Sequence, residues 1–216
     1  MTPRDMPRER AGNGGGPSAA RRGATALRVT GGTLGGRRVQ VPPGIIRPSM
    51  DQMRESVFAC LGDLSGKSFL DVFSGSGIIA LEAASRGASY VEAVENDPGK
   101  RAGLLANVSM SPVRIRCRFM SAELYVLRAK RAFDCVFLDP PFPYRHKWDL
   151  LSRVAASPLV SRGSVVLLHR PRQEAQPGEI AGMRRTDSRE YGRSIVDFFS
   201  AAEDLSQGEG EAVPAS

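Results

Sequence analysis

Cysteine is scarce in this chain. Three occur in 216 residues (Cys60, Cys117 and Cys135), and no two form a CxxC pair. A disulfide framework or a structural zinc site is therefore not expected, and a reducing cytosol is the expected compartment. Long apolar runs are missing too: none approaches the ~18 residues that a membrane helix needs. The N-terminus carries Arg and Gly but no apolar core segment, so no secretory signal is expected. What is present fits a soluble globular protein, with 41% hydrophobic, 25% charged and 6% aromatic residues. The length allows one sizeable core plus a small appendage.

Charge is distributed unevenly. Residues 1–47 hold nine Arg and only two acids, Asp5 and Glu9, while the remaining residues balance to zero, so the whole net charge of +7 sits on the N-terminal arm. Such an arm suits a polyanion such as RNA or DNA, or serves only as a solvated tail.

Residues 1–24 are rich in Arg, Gly, Pro and small side chains, and 203–216 are similarly poor in apolar groups. Neither can bury enough surface to offset ordering entropy, so both read as disordered ends. Residues 25–62 read as a hairpin and a helix. LRVTGG (27–32) and RRVQVP (37–42) flank a Gly-rich turn, and Asp51–Leu61 sets Met53, Val57, Phe58 and Leu61 on one face. From 63 to 202 strand and helix alternate. Strands are expected at 68–73, 90–95, 113–119, 133–139 and 164–169, and a closing antiparallel pair over 183–200 turns near Glu190–Gly192. This repetition predicts a doubly wound α/β sheet, whose ligands bind beyond the carboxyl ends of its strands.

Three motifs carry chemistry. Asp71-Val-Phe73-Ser-Gly75-Ser-Gly77 follows an apolar strand and opens a helix. The glycines permit a tight turn and close backbone approach, and the helix behind them offers free N–H groups. The spacing is not the dinucleotide GxGxxG. Glu95 ends the next strand, where an acid can accept hydrogen bonds from ribose hydroxyls or act as a cap shared with Asn96 and Asp97. Together the two favour a cofactor containing a nucleoside. Asp139-Pro140-Pro141-Phe142 ends the fourth α/β strand. The diproline removes two N–H donors. The turn therefore offers a carboxylate and backbone carbonyls, all acceptors, beside an aromatic ring. That set suits an exocyclic amine on a flat base.

In this order the motifs resemble the Rossmann-like S-adenosylmethionine-dependent methyltransferases that act on amines. Residues 27–62 narrow the resemblance to the RsmD family of ribosomal RNA methyltransferases, through Gly31-Gly32, Gly36-Arg37, Arg47-Pro48, Asp51, Arg54-Glu55 and Phe58, and it extends to about residue 200. The resemblance implies a seven-stranded, mostly parallel sheet of order 3-2-1-4-5-7-6 with a small N-terminal β-hairpin. It implies S-adenosylmethionine held by Asp71, Phe73, Gly75, Gly77, Glu95 and the Ser121-Ala122 segment. It places the substrate amine on Asp139, Pro140 and Phe142, with Arg37, Arg47, Asp51 and Arg54 towards the RNA. The implied reaction is methylation of N2 of one guanine, guanine 966, in 16S rRNA of the small ribosomal subunit or a late assembly intermediate, by a cytoplasmic monomer without a metal. Two features depart from the family pattern. No carboxylate is assured beside the adenine amino group, and His169 stands where the family usually has Glu; a lone His there reads more readily as structural than as catalytic. The rival expectations are a DNA adenine-N6 or cytosine-N4 methyltransferase, for whose usual recognition domain the chain leaves no room, and a non-enzymatic RNA-binding module.

Overall fold

Leu27, Val29, Leu34 and Val39 of the N-terminal segment are buried. In the computed structural model, which describes residues 25–41, 48–174 and 178–201, they fold as a hairpin. Strand β1 (Thr25–Arg28) pairs antiparallel with β2 (Arg38–Val41), from Thr25 opposite Val41 to Arg28 opposite Arg38. The arm expected over 1–24, the tail over 203–216 and Arg47 lie outside the described residues.

The hairpin is seated on helix α2 (Ile78–Ser85) through its turn. Gly32 has φ +72°, and a Cβ there would overlap the Ser85 carbonyl oxygen, so only glycine fits. Ser85 Oγ donates to the Gly31 carbonyl at 2.6 Å and accepts from Leu34 N at 2.8 Å, while Thr30 N donates to Glu82 Oε1 at 2.6 Å. Helix α1 (Pro48–Leu61) begins on a proline, whose missing N–H costs nothing in a first turn. It buries Met53, Val57 and Phe58, and the Phe58 ring stacks on Phe69 with centroids 5.8 Å apart.

The alternating units follow as β3 (Ser68–Val72), α2, β4 (Tyr90–Glu95), α3 (Arg101–Val108), β5 (Ile115–Phe119), α4 (Ala122–Leu127), β6 (Cys135–Leu138), α5 (Lys147–Ala155) and β7 (Val165–Pro171). The chain closes with β8 (Glu179–Ile180), β9 (Met183–Tyr191) and β10 (Ser194–Ala201). The main sheet runs β5-β4-β3-β6-β7-β10-β9-β8. Its first five strands are parallel, and β10 lies antiparallel between β7 and β9. The seven expected strands are present in the expected order. The eighth, two-residue β8, pairs with β9 at the edge and is an addition.

Every residue of the central strand β3 is buried. Its neighbours divide between two cores. Phe69 joins the cluster under the hairpin, α1 and α2, whereas Leu70 and Val72 join one built on β6, β7, α4 and α5. A fully buried Leu or Phe contributes about 1.5–3 kcal/mol, so these two layers fix the sheet in place. Strand order reverses between β3 and β6, and the crevice at their carboxyl ends is where a doubly wound sheet takes its ligand. No helix among the described residues is long and apolar enough to cross a membrane.

Candidate active site

Phe73 leaves β3 with φ +66°, a left-handed conformation uncommon for a bulky side chain and a recurrent mark of functional loops. Gly75 (φ +57°) and Gly77 (φ +82°) continue the turn. A Cβ on Gly77 would lie 2.6 Å from Leu104 Cδ1, so the loop packs directly on α3. Asp71 pins this loop from behind. Its Oδ2 accepts from Ser74 Oγ at 2.6 Å and from Ala80 N at 3.2 Å, and its Oδ1 is buried without a hydrogen-bond partner among the described residues. Burial pushes the Asp71 carboxyl up to about 7, with the charges of Asp139 and Glu95 adding to the effect and the Ser74 and Ala80 donors opposing it.

Glu95 ends β4 and is buried. Its Oε2 accepts from Gly75 N at 2.7 Å and its Oε1 from Asp97 N at 2.8 Å. The carboxylate thus ties the glycine loop to the β4–α3 turn. The cap of that turn is Asp97, which accepts from Gly99 N at 2.8 Å. Two N–H donors leave Glu95 with spare acceptor capacity, since a carboxylate has about four lone-pair sites.

A cavity of about 900 Å³ opens in the crevice. Of the residues expected to hold the cofactor, Phe73, Glu95, Ser121 and Ala122 line it; Asp71, Gly75 and Gly77 instead shape the loop that carries Phe73. Ser121 Oγ caps α4 by accepting from Leu124 N at 3.2 Å, which sets Ala122 against the cavity wall. Asp139, Pro140 and Phe142 line it as well. Asp139 N donates to the Val72 carbonyl at 3.2 Å and Tyr144 N to the Pro141 carbonyl at 2.8 Å, so the diproline turn is clamped at both ends. The Asp139 side chain is 31% exposed and the Phe142 residue 37%, a rare exposure for a large apolar ring among the described residues.

The residues expected on the RNA side are differently placed. Arg54 is not at the mouth: it is 1% exposed, inside the junction of α1, β1 and α2. Its guanidinium donates to Glu82 Oε1 (3.4 Å), Asp51 Oδ1 (2.5 Å) and the carbonyls of Arg28 (3.0 Å) and Met50 (3.4 Å). Asp51 is half exposed but committed to Arg54, and it does not line the cavity. Arg37 is exposed on the hairpin, also away from the cavity. α1 reaches the cavity through Met50 instead.

Three further lining residues shape the site. Tyr144 stacks obliquely on Phe73, with centroids 5.5 Å apart, and donates to Glu123 Oε1 at 2.5 Å. That bond holds the Glu123 carboxyl below its ordinary range. Glu123 directly follows the Ser121-Ala122 segment in the sequence. The third is His169, whose Nδ1 lies 2.7 Å from Asp139 Oδ1. Its signal is in the register, because parallel strands β6 and β7 bring their carboxyl ends abreast. Among the described residues, no group of three or more His, Cys, Asp or Glu could hold a metal ion.

Known proteins resemble this chain in sequence and fold. Ribosomal RNA small subunit methyltransferase D of Escherichia coli K12 is 33% identical over 124 residues, or 56% of this chain and 62% of that protein. The match therefore spans under two thirds of that relative's length. A solved structure of a conserved hypothetical protein from Streptococcus pyogenes is 31% identical with a TM-score of 0.65, covering 69% of this chain and 95% of its own. A hypothetical protein of Thermus thermophilus is 28% identical with a TM-score of 0.69, covering 81% of this chain and 99% of its own. The sequence model of the family described as conserved hypothetical protein 95 matches residues 27–200. Through that match, over most of its length, the chain belongs to this family, the RsmD family of Rossmann-like methyltransferases.

Proposed function

We propose that the protein methylates the exocyclic N2 amine of a guanine in 16S rRNA of the small ribosomal subunit, using S-adenosylmethionine. The observation that carries this reading is the Asp139–Phe142 turn, whose carboxylate and diproline line the same cavity as Glu95 and Phe73 of the glycine loop. Guanine 966, presented on a late assembly intermediate, is the target that the family resemblance implies.

The residues present fit the cofactor. A volume of about 900 Å³ is ample for a nucleoside-sized ligand. Glu95 retains acceptor capacity for the ribose hydroxyls, Ala122 would back the adenine, and the loop over Asp71 would hold the methionine end. Asp71 itself holds that loop through Ser74 and Ala80. When bound, S-adenosylmethionine supplies an electrophilic methyl group on a sulfonium centre.

The chain's own task is to present the amine. The guanine N2 lone pair is delocalised into the ring, and a carboxylate is too weak a base to remove its proton before attack. Asp139 acts instead by accepting a hydrogen bond from N2 and stabilising the positive charge that develops on nitrogen. Phe142 offers its exposed ring to the base plane. Holding nitrogen and methyl group in line supplies much of the remaining acceleration. Afterwards the proton passes from N2 to Asp139 and on to water. The guanine must leave its stack, at a cost of a few kcal/mol unless it already lies in a loop, the usual setting for recognition of RNA bases. Arg37 and the exposed Arg38 beside it grip phosphates on the hairpin side.

Nucleoside mass spectrometry of 16S rRNA from a strain lacking the gene tests this. The expected result is loss of one N2-methylguanosine, restored by the wild-type gene. An unchanged 16S profile, or loss of N6-methyladenine or N4-methylcytosine from DNA, would reject it.

A further inference from the structure

Leu138, the last residue of β6, pairs with Leu168 of β7, so the residue that follows each, Asp139 and His169, meet at the crevice. The His169 side chain is 8% exposed, and its Nδ1 is 2.7 Å from Asp139 Oδ1. The Phe142 ring packs against the imidazole at 67°, with centroids 5.5 Å apart. The other ring nitrogen, Nε2, is buried and has no hydrogen-bond partner among the described residues.

This asymmetry selects one state of the ring. An imidazolium, or the neutral tautomer protonated on Nε2, would leave a buried N–H without an acceptor, which carries the full desolvation penalty of that donor. With the proton on Nδ1, the N–H points at a carboxylate oxygen and only a lone pair goes unmatched. No partner among the described residues reaches the other oxygen, Asp139 Oδ2. A carboxylate otherwise free to rotate is held by one oxygen, and the second is left for the substrate.

We propose that His169 is the positioning residue for Asp139: its neutral imidazole donates from Nδ1 to Oδ1 and fixes Oδ2 as the acceptor for the amine. The proposal rests on the methyl-transfer reading above for its consequence, but not for its geometry. During the reaction His169 keeps its own proton. The one released by the methylated amine breaks from N2 and bonds to Oδ2. The side chain that fills this corner is thus a neutral donor, which adds no second negative charge beside Asp139.

Two measurements test this. The first is ¹⁵N NMR of the imidazoles in the full-length protein near pH 7.5, where only two histidines need assignment and His146→Gln identifies one of them. His169 should show a protonated Nδ1 and a bare Nε2, and the Nδ1 proton signal should move in Asp139→Asn. A protonated Nε2, in either the neutral or the charged ring, would overturn the proposal. The second is turnover. His169→Leu, which fills the space without a donor, should lose roughly 10–100-fold in kcat, the scale of a lost orienting group. Its affinities for cofactor and RNA should stay within about twofold, an allowance for measurement scatter. His169→Asn, whose amide N–H can reach towards Oδ1, should recover several-fold of that loss. Equal kcat in wild type and His169→Leu, or no difference between the Leu and Asn variants, would overturn the proposal. A wild-type protein that methylates no RNA amine would instead reject the methyl-transfer reading, and the NMR result alone would then decide the hydrogen bond.

Discussion

Asp71 holds the glycine loop with one oxygen and leaves the other unmatched, and burial raises its carboxyl to about 7. The folded state therefore binds this proton more tightly than the unfolded chain, whose carboxyl titrates near 3.8. The sign follows: stability is undiminished below the unfolded value and is lost as pH rises through about 7, by up to about 4 kcal/mol at 1.36 kcal/mol per unit. Asp71→Asn keeps an acceptor for Ser74 and Ala80 and cannot ionise. Urea unfolding of the cofactor-free protein should find it more stable than wild type by about 1–3 kcal/mol at pH 8 and nearly equal at pH 4. A variant equally less stable at both values would contradict this. Glu95 is the second residue-scale case. Its position at a strand end is legible in the sequence, but its two backbone bonds are not, because Gly75 N is supplied from 20 positions away. Glu95→Ala should weaken cofactor binding by about 1.5–3 kcal/mol, through both the lost ribose acceptor and the released loop. Isothermal titration measures it, and an unchanged dissociation constant would reduce Glu95 to a tie between loops.

Among elements, α1 shows where charge misleads and periodicity does not. Positions 54, 57, 58 and 61 lie on one helical face, and three of them are Val57, Phe58 and Leu61. Arg54 sits on that apolar face, so the periodicity alone places it inside, against the RNA-side role that its charge suggests. Its partner Glu82 is fully buried. Arg54→Ala would remove one of two guanidinium partners of that carboxylate, leaving Arg86 Nη1 at 3.2 Å from Oε2, and should cost up to about 3 kcal/mol of stability, the low end of the range for breaking a buried pair. Denaturant titration checks it, and a loss of RNA affinity without a loss of stability would restore the substrate role. The hairpin, the five parallel strands and the closing pair are legible because alternation and Gly-bounded runs are local signals. Three features are not. The fit of Gly32 against Ser85 depends on a residue 53 positions distant, β8 is too short for any period, and the Asp139–His169 bond arises only from the register of two strands.

For the whole molecule, charge and chemistry are separated along the chain. The net +7 belongs to residues 1–47, whereas the cavity is built mainly from residues 73–194. Deleting residues 1–24 removes Arg4, Arg8, Arg10, Arg21 and Arg22. Cofactor affinity should not change, and small-subunit binding should weaken, with a salt slope flatter by roughly 0.7–0.9 for each phosphate that is no longer neutralised. Parallel salt slopes for full-length and truncated protein would show that the arm is inert. The central claim, that the Asp139 turn presents an RNA amine for methylation, is met most directly by single-turnover transfer to unmethylated small subunits with wild type and Asp139→Ala, together with each protein's affinity for S-adenosylmethionine. The account predicts N2-methylguanosine from wild type, a loss of at least about 100-fold in Asp139→Ala, the scale of a removed charge-stabilising group, and cofactor affinity unchanged. Near-normal transfer by Asp139→Ala would contradict it.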